Sequence, residues 1–198
     1  MKPTARLSRS AVTATLALLL AACATTPMPP TVPPAAAPPG QPGPPPGPDL
    51  PSLGWFSRIR VPDGHQPVLR LAGRGVQVFR CELREGAHVW AFRLPEADLV
   101  DELGTVVVRH GANFSFEHSD GSRLIGSVVA SDAAPRGDAL RWLLLSARAF
   151  GAGALAGISY VQRVNTSGGM PPPRCDVRQL NQLLRVDFSA DFVFYRPG

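Results

Sequence analysis

Residues 186–194 set Val186, Phe188, Ala190, Phe192 and Phe194 at alternate positions, with Asp187, Ser189 and Asp191 between them. A period of two marks a half-buried strand, because successive side chains leave a strand on opposite faces. Shorter stretches repeat it. Residues 75–83 bring Gln77, Phe79, Cys81 and Leu83 to one side, and residues 88–94 set Trp90 and Phe92 opposite Val89, Ala91 and Arg93. Residues 113–118 alternate Phe114 and Phe116 with Ser115 and Glu117, and residues 155–166 align Ile158, Tyr160, Gln162 and Val164. Glycine-rich turns lie between these runs, at Glu85-Gly86, Asp120-Gly121 and Gly151 with Gly153. Asp120-Gly121, between Phe116 and Leu124, is the sharpest hairpin signal. The pattern predicts an all-β antiparallel domain, a β-sandwich or a small β-barrel, and does not choose between the two. Two short helical turns are expected besides, at 95–103 and at 176–184, where Asp176 stands near the start and Leu180, Leu183 and Leu184 share a side.

The first residues carry a different message. Lys2, Arg6 and Arg9 precede an apolar run at 11–20, and Leu20-Ala21-Ala22-Cys23 follows it. A positive start, an apolar centre and small residues at the end read as a secretory signal peptide, residues 1–22. The run is too short for a transmembrane helix, which needs about 20 apolar residues. The cysteine after the small residues makes this signal resemble the lipobox of bacterial lipoproteins. That resemblance implies a diacylglycerol on the Cys23 sulfur, an acylated mature N-terminus, and a cell-envelope address. Ala24 in place of aspartate implies the outer membrane, facing the periplasm. The alternative is a plain signal peptide that discards Cys23.

Residues 23–51 join this signal to the rest. They hold 13 of the chain's 22 prolines and almost no apolar bulk. Such a segment cannot build a core and is expected to stay extended as a linker. At ~3.1 Å per residue, residues 25–51 of it reach roughly 80 Å. The single β-domain is then residues 52–198, long enough to bury its own core.

Charge excludes one class of partner. Lys2, Arg6 and Arg9 leave with the signal, so the mature chain keeps 17 basic against 15 acidic residues. A near-neutral balance leaves no footprint for nucleic acid. The partners expected are the membrane, through the lipid, and an unidentified small-molecule or protein ligand. Cys81 and Cys175 are the two cysteines left over, and in an oxidising compartment they allow one disulfide. Two separate buried thiols are the alternative.

Several stretches resemble one known family. They are residues 75–81, residues 95–99 with Gly104, His110 with Phe116-Glu117, and Asp120 to Ser122. Residues 142–145, residues 161–166 with Gly168-Gly169, and residues 188–191 with Phe194-Tyr195 complete the set. Together they are similar to the secreted bacterial and fungal proteins grouped as domain of unknown function 3455, over nearly all of residues 60–195. The resemblance implies export and no known activity. The family usually has Gly-Pro shortly after the histidine and Trp before the Glu. Here those positions are Asn113-Phe114 and Phe116, so a pocket shaped by that loop would be altered.

Candidate chemistry is sparse. His110 ends an apolar run in which Val106, Val108 and His110 share a face, and with Glu117 or Asp120 it has the elements of a general base. Gln162, Arg163 and Asn165 lead into Thr166 and Gly168-Gly169, where side chains and free backbone N–H groups suit an anionic or hydroxylated ligand. The competing role for Arg163 and Asn165 is to organise that turn. His110 and His118 are too few for zinc, so no metal and no cofactor is expected. The reading is a lipid-anchored, non-enzymatic envelope protein with His110, Gln162, Arg163 and Asn165 as ligand-binding candidates. The alternative is a secreted hydrolase using His110 with Glu117 or Asp120.

Overall fold

The computed structural model describes residues 52–54 and 57–198. The signal segment 1–22, Cys23 and the remainder of the linker to residue 51 lie outside the described residues. Eight strands follow one another: β1 (His65–Arg84), β2 (Ala87–Val100), β3 (Val106–Gly111), β4 (Ser115–His118), β5 (Arg123–Asp132), β6 (Trp142–Phe150), β7 (Tyr160–Gly168) and β8 (Leu183–Pro197). Each pairs antiparallel with the next, and β8 returns to pair with β1. The sheet therefore closes into a barrel, which settles the choice that alternation alone left open.

The face read from residues 186–194 is the one that turns inward. Phe188, Ala190, Phe192 and Phe194 join Leu71, Leu99, Val108, Phe116, Leu124, Leu145 and Val161 in the main core. The Phe192 ring lies over the neighbouring strand where β1 has no side chain, since a β-carbon on Gly73 would come within 2.5 Å of it. A smaller cluster occupies the opposite face. Leu144 sits between the core residues Leu143 and Leu145, so it points outward, where it packs with Val164 and Ile59. The chain just before β1 covers this face. Ser57 Oγ donates to Asp132 at 2.7 Å and the Arg58 N–H donates to the same carboxylate at 3.0 Å. Val193 and Tyr195 are buried although they alternate with the inward residues.

The barrel wall is uneven. β3 and β4 are 6 and 4 residues long, whereas β1 and β2 have 20 and 14. β2 pairs with β3 only over residues 97–100, and β5 pairs with β4 only over residues 123–125. Beyond those stretches, residues 87–96 of β2 and 126–132 of β5 have a strand partner on one side only among the described residues. Two strands are missing from the wall there. Where β3 and β4 do run between them, three strand spacings of about 4.8 Å set β2 and β5 about 14 Å apart. The single turn Ala112–Phe114 touches both rims.

Four local expectations change. Residues 95–100 are strand and not a helical turn: Pro95, Ala97 and Leu99 are buried while Glu96 and Asp98 are exposed, so the period of two continues. The helical turn near 176–184 shrinks to Val177–Gln179, capped by Asp176, and Leu183 and Leu184 already belong to β8. Asn113 and Phe114 precede β4 with φ of 55° and 50°, so Phe114 does not alternate with Phe116. Residues 155–159 lie outside the strands, and Ile158 belongs to the main core whereas Tyr160 packs against the outer cluster. Cys81 and Cys175 form a disulfide, with Cα atoms 5.9 Å apart across a sequence separation of 94. It ties β1 to the loop between β7 and β8.

Candidate ligand-binding site

Gly75, Ala97, His110, Phe116 and Leu124 are successive register partners around the sheet. Directly opposed residues share a face, and Ala97, Phe116 and Leu124 are core, so His110 points into the barrel. The smallest side chains of that row, Gly75 and Ala97, lie beside it. The imidazole stacks on Phe116 at 4.1 Å and meets the edge of Phe192 at 5.4 Å. Its Nδ1 lies 2.9 Å from the Ser115 carbonyl oxygen. A carbonyl only accepts, so the neutral ring carries its hydrogen on Nδ1 and keeps Nε2 as an acceptor. Burial pushes the His110 pKa down to about 4, the Ser115 bond opposes this, and the charge of Arg163 adds to it.

Arg163 enters the same interior from β7. It is the register partner of Leu143 and of Phe192, both core residues. Arg163 and His110 therefore flank Phe192. The guanidinium side chain belongs to a residue only 7% exposed. Its Nη2 donates to the Arg141 carbonyl at 3.0 Å, while Nε is buried without a partner. Burial lowers its pKa to about 10, which still leaves it charged at neutral pH.

The other expected members of this group do not join it. Gln162 leaves β7 on the outer face. There it donates to the Ile59 carbonyl at 2.7 Å and accepts from the Tyr195 hydroxyl at 2.6 Å, both buried. Asn165 is exposed, with φ of 50°, and donates to Asp191 at 2.7 Å. Thr166 Oγ1 donates to the Leu140 carbonyl at 2.5 Å. One residue's difference in position decides the face at each step, which is why neighbours in sequence part company here.

Among the described residues, neither Glu117 nor Asp120 stands beside His110 in the manner the hydrolase alternative requires. Glu117 is the register partner of Arg109, not of His110, and is exposed on the outer face. Asp120 is committed elsewhere. Its carboxylate accepts from Ser122 Oγ at 2.6 Å, the Ser122 N–H at 2.8 Å and the Ala154 N–H at 2.7 Å. These bonds, the Ser122 hydroxyl first, hold its carboxyl well below the usual carboxylate range. Asp120 thereby fastens the β4–β5 turn to the β6–β7 loop. His118 Nδ1 lies 3.0 Å from the Asp120 carboxylate.

The gap between β2 and β5 holds a further candidate. It is a cleft of about 530 Å³ lined by Phe92, Pro95, Phe114, Ile125 and Val128, with Arg93, Asn113 and Ser127 among its polar members. Phe92, Ile125 and Val128 are 44%, 48% and 46% exposed. Phe114 stands between the cleft and the interior, its ring 6.3 Å from that of His110. A phenylalanine at φ of 50° is held in a sparsely populated backbone region. Alternation in the sequence cannot reveal this cleft, because it arises from β3 and β4 ending early.

No curated protein and no solved structure matches the chain. The family profile described as protein of unknown function (DUF3455) matches residues 62–196, a span that takes in all eight strands to within one residue of the end of β8. The chain belongs to the DUF3455 family of proteins of unknown function.

Proposed function

We propose that this chain is a lipid-anchored, non-enzymatic protein of the cell envelope whose β-barrel binds a small molecule at the gap between β2 and β5. The cleft carries the binding part of this reading. Its volume suits a small ligand. Grouped aromatic and branched side chains facing solvent are a feature of surfaces that something covers. The strained Asn113-Phe114 turn at its edge supports the same reading, since backbone strain gathers at binding sites. The anchoring part rests on the residues before Ala24, and the Cys81–Cys175 bridge supports it, because such bridges persist in oxidising compartments. The linker then acts as a stalk that holds the barrel off the outer membrane, facing the periplasm.

Two measurements test the two parts separately. Wild-type protein should fractionate with the outer membrane, and the Cys23→Ser variant should be released in soluble form; equal distribution of both contradicts the anchor. Native protein should release a stoichiometric small molecule that Phe92→Ala and Ile125→Ser variants lack. Release of none, or of the same amount from all three, contradicts the cleft.

A further inference from the structure

Arg163 is a buried charge without a counter-charge. A guanidinium presents five N–H donors, and this one makes a single hydrogen bond, to the Arg141 carbonyl. Among the described residues no carboxylate pairs with it. His110, which also points into the barrel, is another base, and its burial favours the neutral form. Its register partners, Leu143 and Phe192, are apolar. A charge taken out of water costs several kcal/mol unless it is paired. A leucine or methionine at this position would fill the interior without that cost. Its Nε is buried without any partner, so a ligand of opposite charge would find donors unused there.

We propose that Arg163 is the anchor of an anion-binding site inside the barrel, and that its ligand is a small monocarboxylate with an apolar body. This rests on the binding role proposed above, and not on the lipid anchor. A planar carboxylate matches the guanidinium fork and can engage the donors that Arg163 leaves free. One positive charge neutralises one negative charge. A dianion such as phosphate would leave one charge unneutralised in a buried place and is disfavoured. The apolar part of the ligand would lie against Phe114, which lines the cleft. A way in is the missing stretch of wall, where Phe114 lines the cleft and its ring lies 6.3 Å from that of His110.

The test is thermal unfolding of the full mature protein titrated with butyrate, its neutral isostere butyramide, and inorganic phosphate. Butyrate should raise the midpoint saturably, and butyramide and phosphate should not. Arg163→Met should weaken the butyrate response about tenfold or more, the loss of one charged hydrogen-bonded contact. Without ligand, the variant should unfold no earlier than wild type, since an unpaired charge has been removed. Should the variant fail to fold, the His110 ring resonances of wild type at neutral pH decide instead: butyrate should shift them saturably and butyramide should not, because a carboxylate bound at Arg163 lies on the other side of Phe192 from His110. No saturable response to butyrate, or a response that Arg163→Met retains, overturns the site. Equal responses to butyrate and butyramide overturn the anion while leaving a small-molecule cleft. An equal response to phosphate overturns the monocarboxylate.

Discussion

Tyr195 donates its phenolic hydrogen to Gln162 Oε1 at 2.6 Å, and both side chains are buried on the outer wall of the barrel. Gln162 passes the connection on, donating to the Ile59 carbonyl at 2.7 Å. This short relay pins the chain ahead of β1 onto β7 and β8. It makes Gln162 a structural residue, although sequence alone groups it with Arg163 and Asn165. Burial pushes the Tyr195 hydroxyl up to about 12, so it remains a donor throughout the working range of pH.

Gln162→Ala should destabilise the barrel by about 2–4 kcal/mol, because the Tyr195 hydroxyl and the Ile59 carbonyl both lose their partner in a buried place. Tyr195→Phe leaves only Gln162 Oε1 alone and should cost about 1–2 kcal/mol. Urea unfolding followed by intrinsic fluorescence measures both. Neither substitution should change binding in the cleft.

Reducing the Cys81–Cys175 bridge removes a cross-link across 94 residues of sequence. The chain-entropy description puts the loss at about 4–5 kcal/mol. The paired Cys81→Ser, Cys175→Ser variant should show this loss in denaturant unfolding, and wild type with reductant should match it. Identical stability with and without the bridge would contradict its structural role.

His110 sets an acid limit. Its folded-state pKa of about 4 lies below the ordinary 6.5. The unfolded chain therefore binds the proton first, and the contribution of neutral His110 is complete above pH 6.5 and fades as pH falls toward 4. The span corresponds to about 3 kcal/mol. His110→Leu should flatten the stability profile across this window, which a series of urea titrations from pH 7 to pH 4 would reveal. A wild-type His110 resonance that titrates near 6.5 would contradict the burial.

Asp120 acts at lower pH. Its carboxylate is depressed by the Ser122 and Ala154 bonds, so its contribution is present above the ordinary value of 3.8 and is lost as pH falls below it. Asp120→Asn should be less stable than wild type at neutral pH, with the difference shrinking toward pH 2. Hydrogen exchange at the Ala154 amide should be faster in the variant at neutral pH.

The strands that were legible in the sequence are those whose two faces differ. In β8, phenylalanines alternate with Asp187, Ser189 and Asp191, and that face is the one buried. The Asp120-Gly121 turn was legible for a chemical reason, since Gly121 has φ of 89° and the Gly121 N–H closes on the His118 carbonyl at 3.0 Å. Residues 95–100 misled because proline followed by acids is the composition of a helix start. Pro95 nonetheless fits β2, where one edge has no strand to bond with and a missing N–H costs little. The candidate site was legible only in part. His110 and Arg163 come together because separate strands turn both inward on either side of Phe192, a relation of register. The cleft depends on how far β3 and β4 extend, and no local pattern encodes that length.

The intact mass of the native mature protein, extracted from membranes without reductant, tests the central claim most directly. The account predicts a chain beginning at Cys23, heavier than its residues by a diacylglyceryl group, and lighter by two hydrogens for the Cys81–Cys175 bridge. A chain that begins elsewhere, carries no acyl mass and keeps both thiols would contradict a disulfide-closed barrel tethered at the cell envelope.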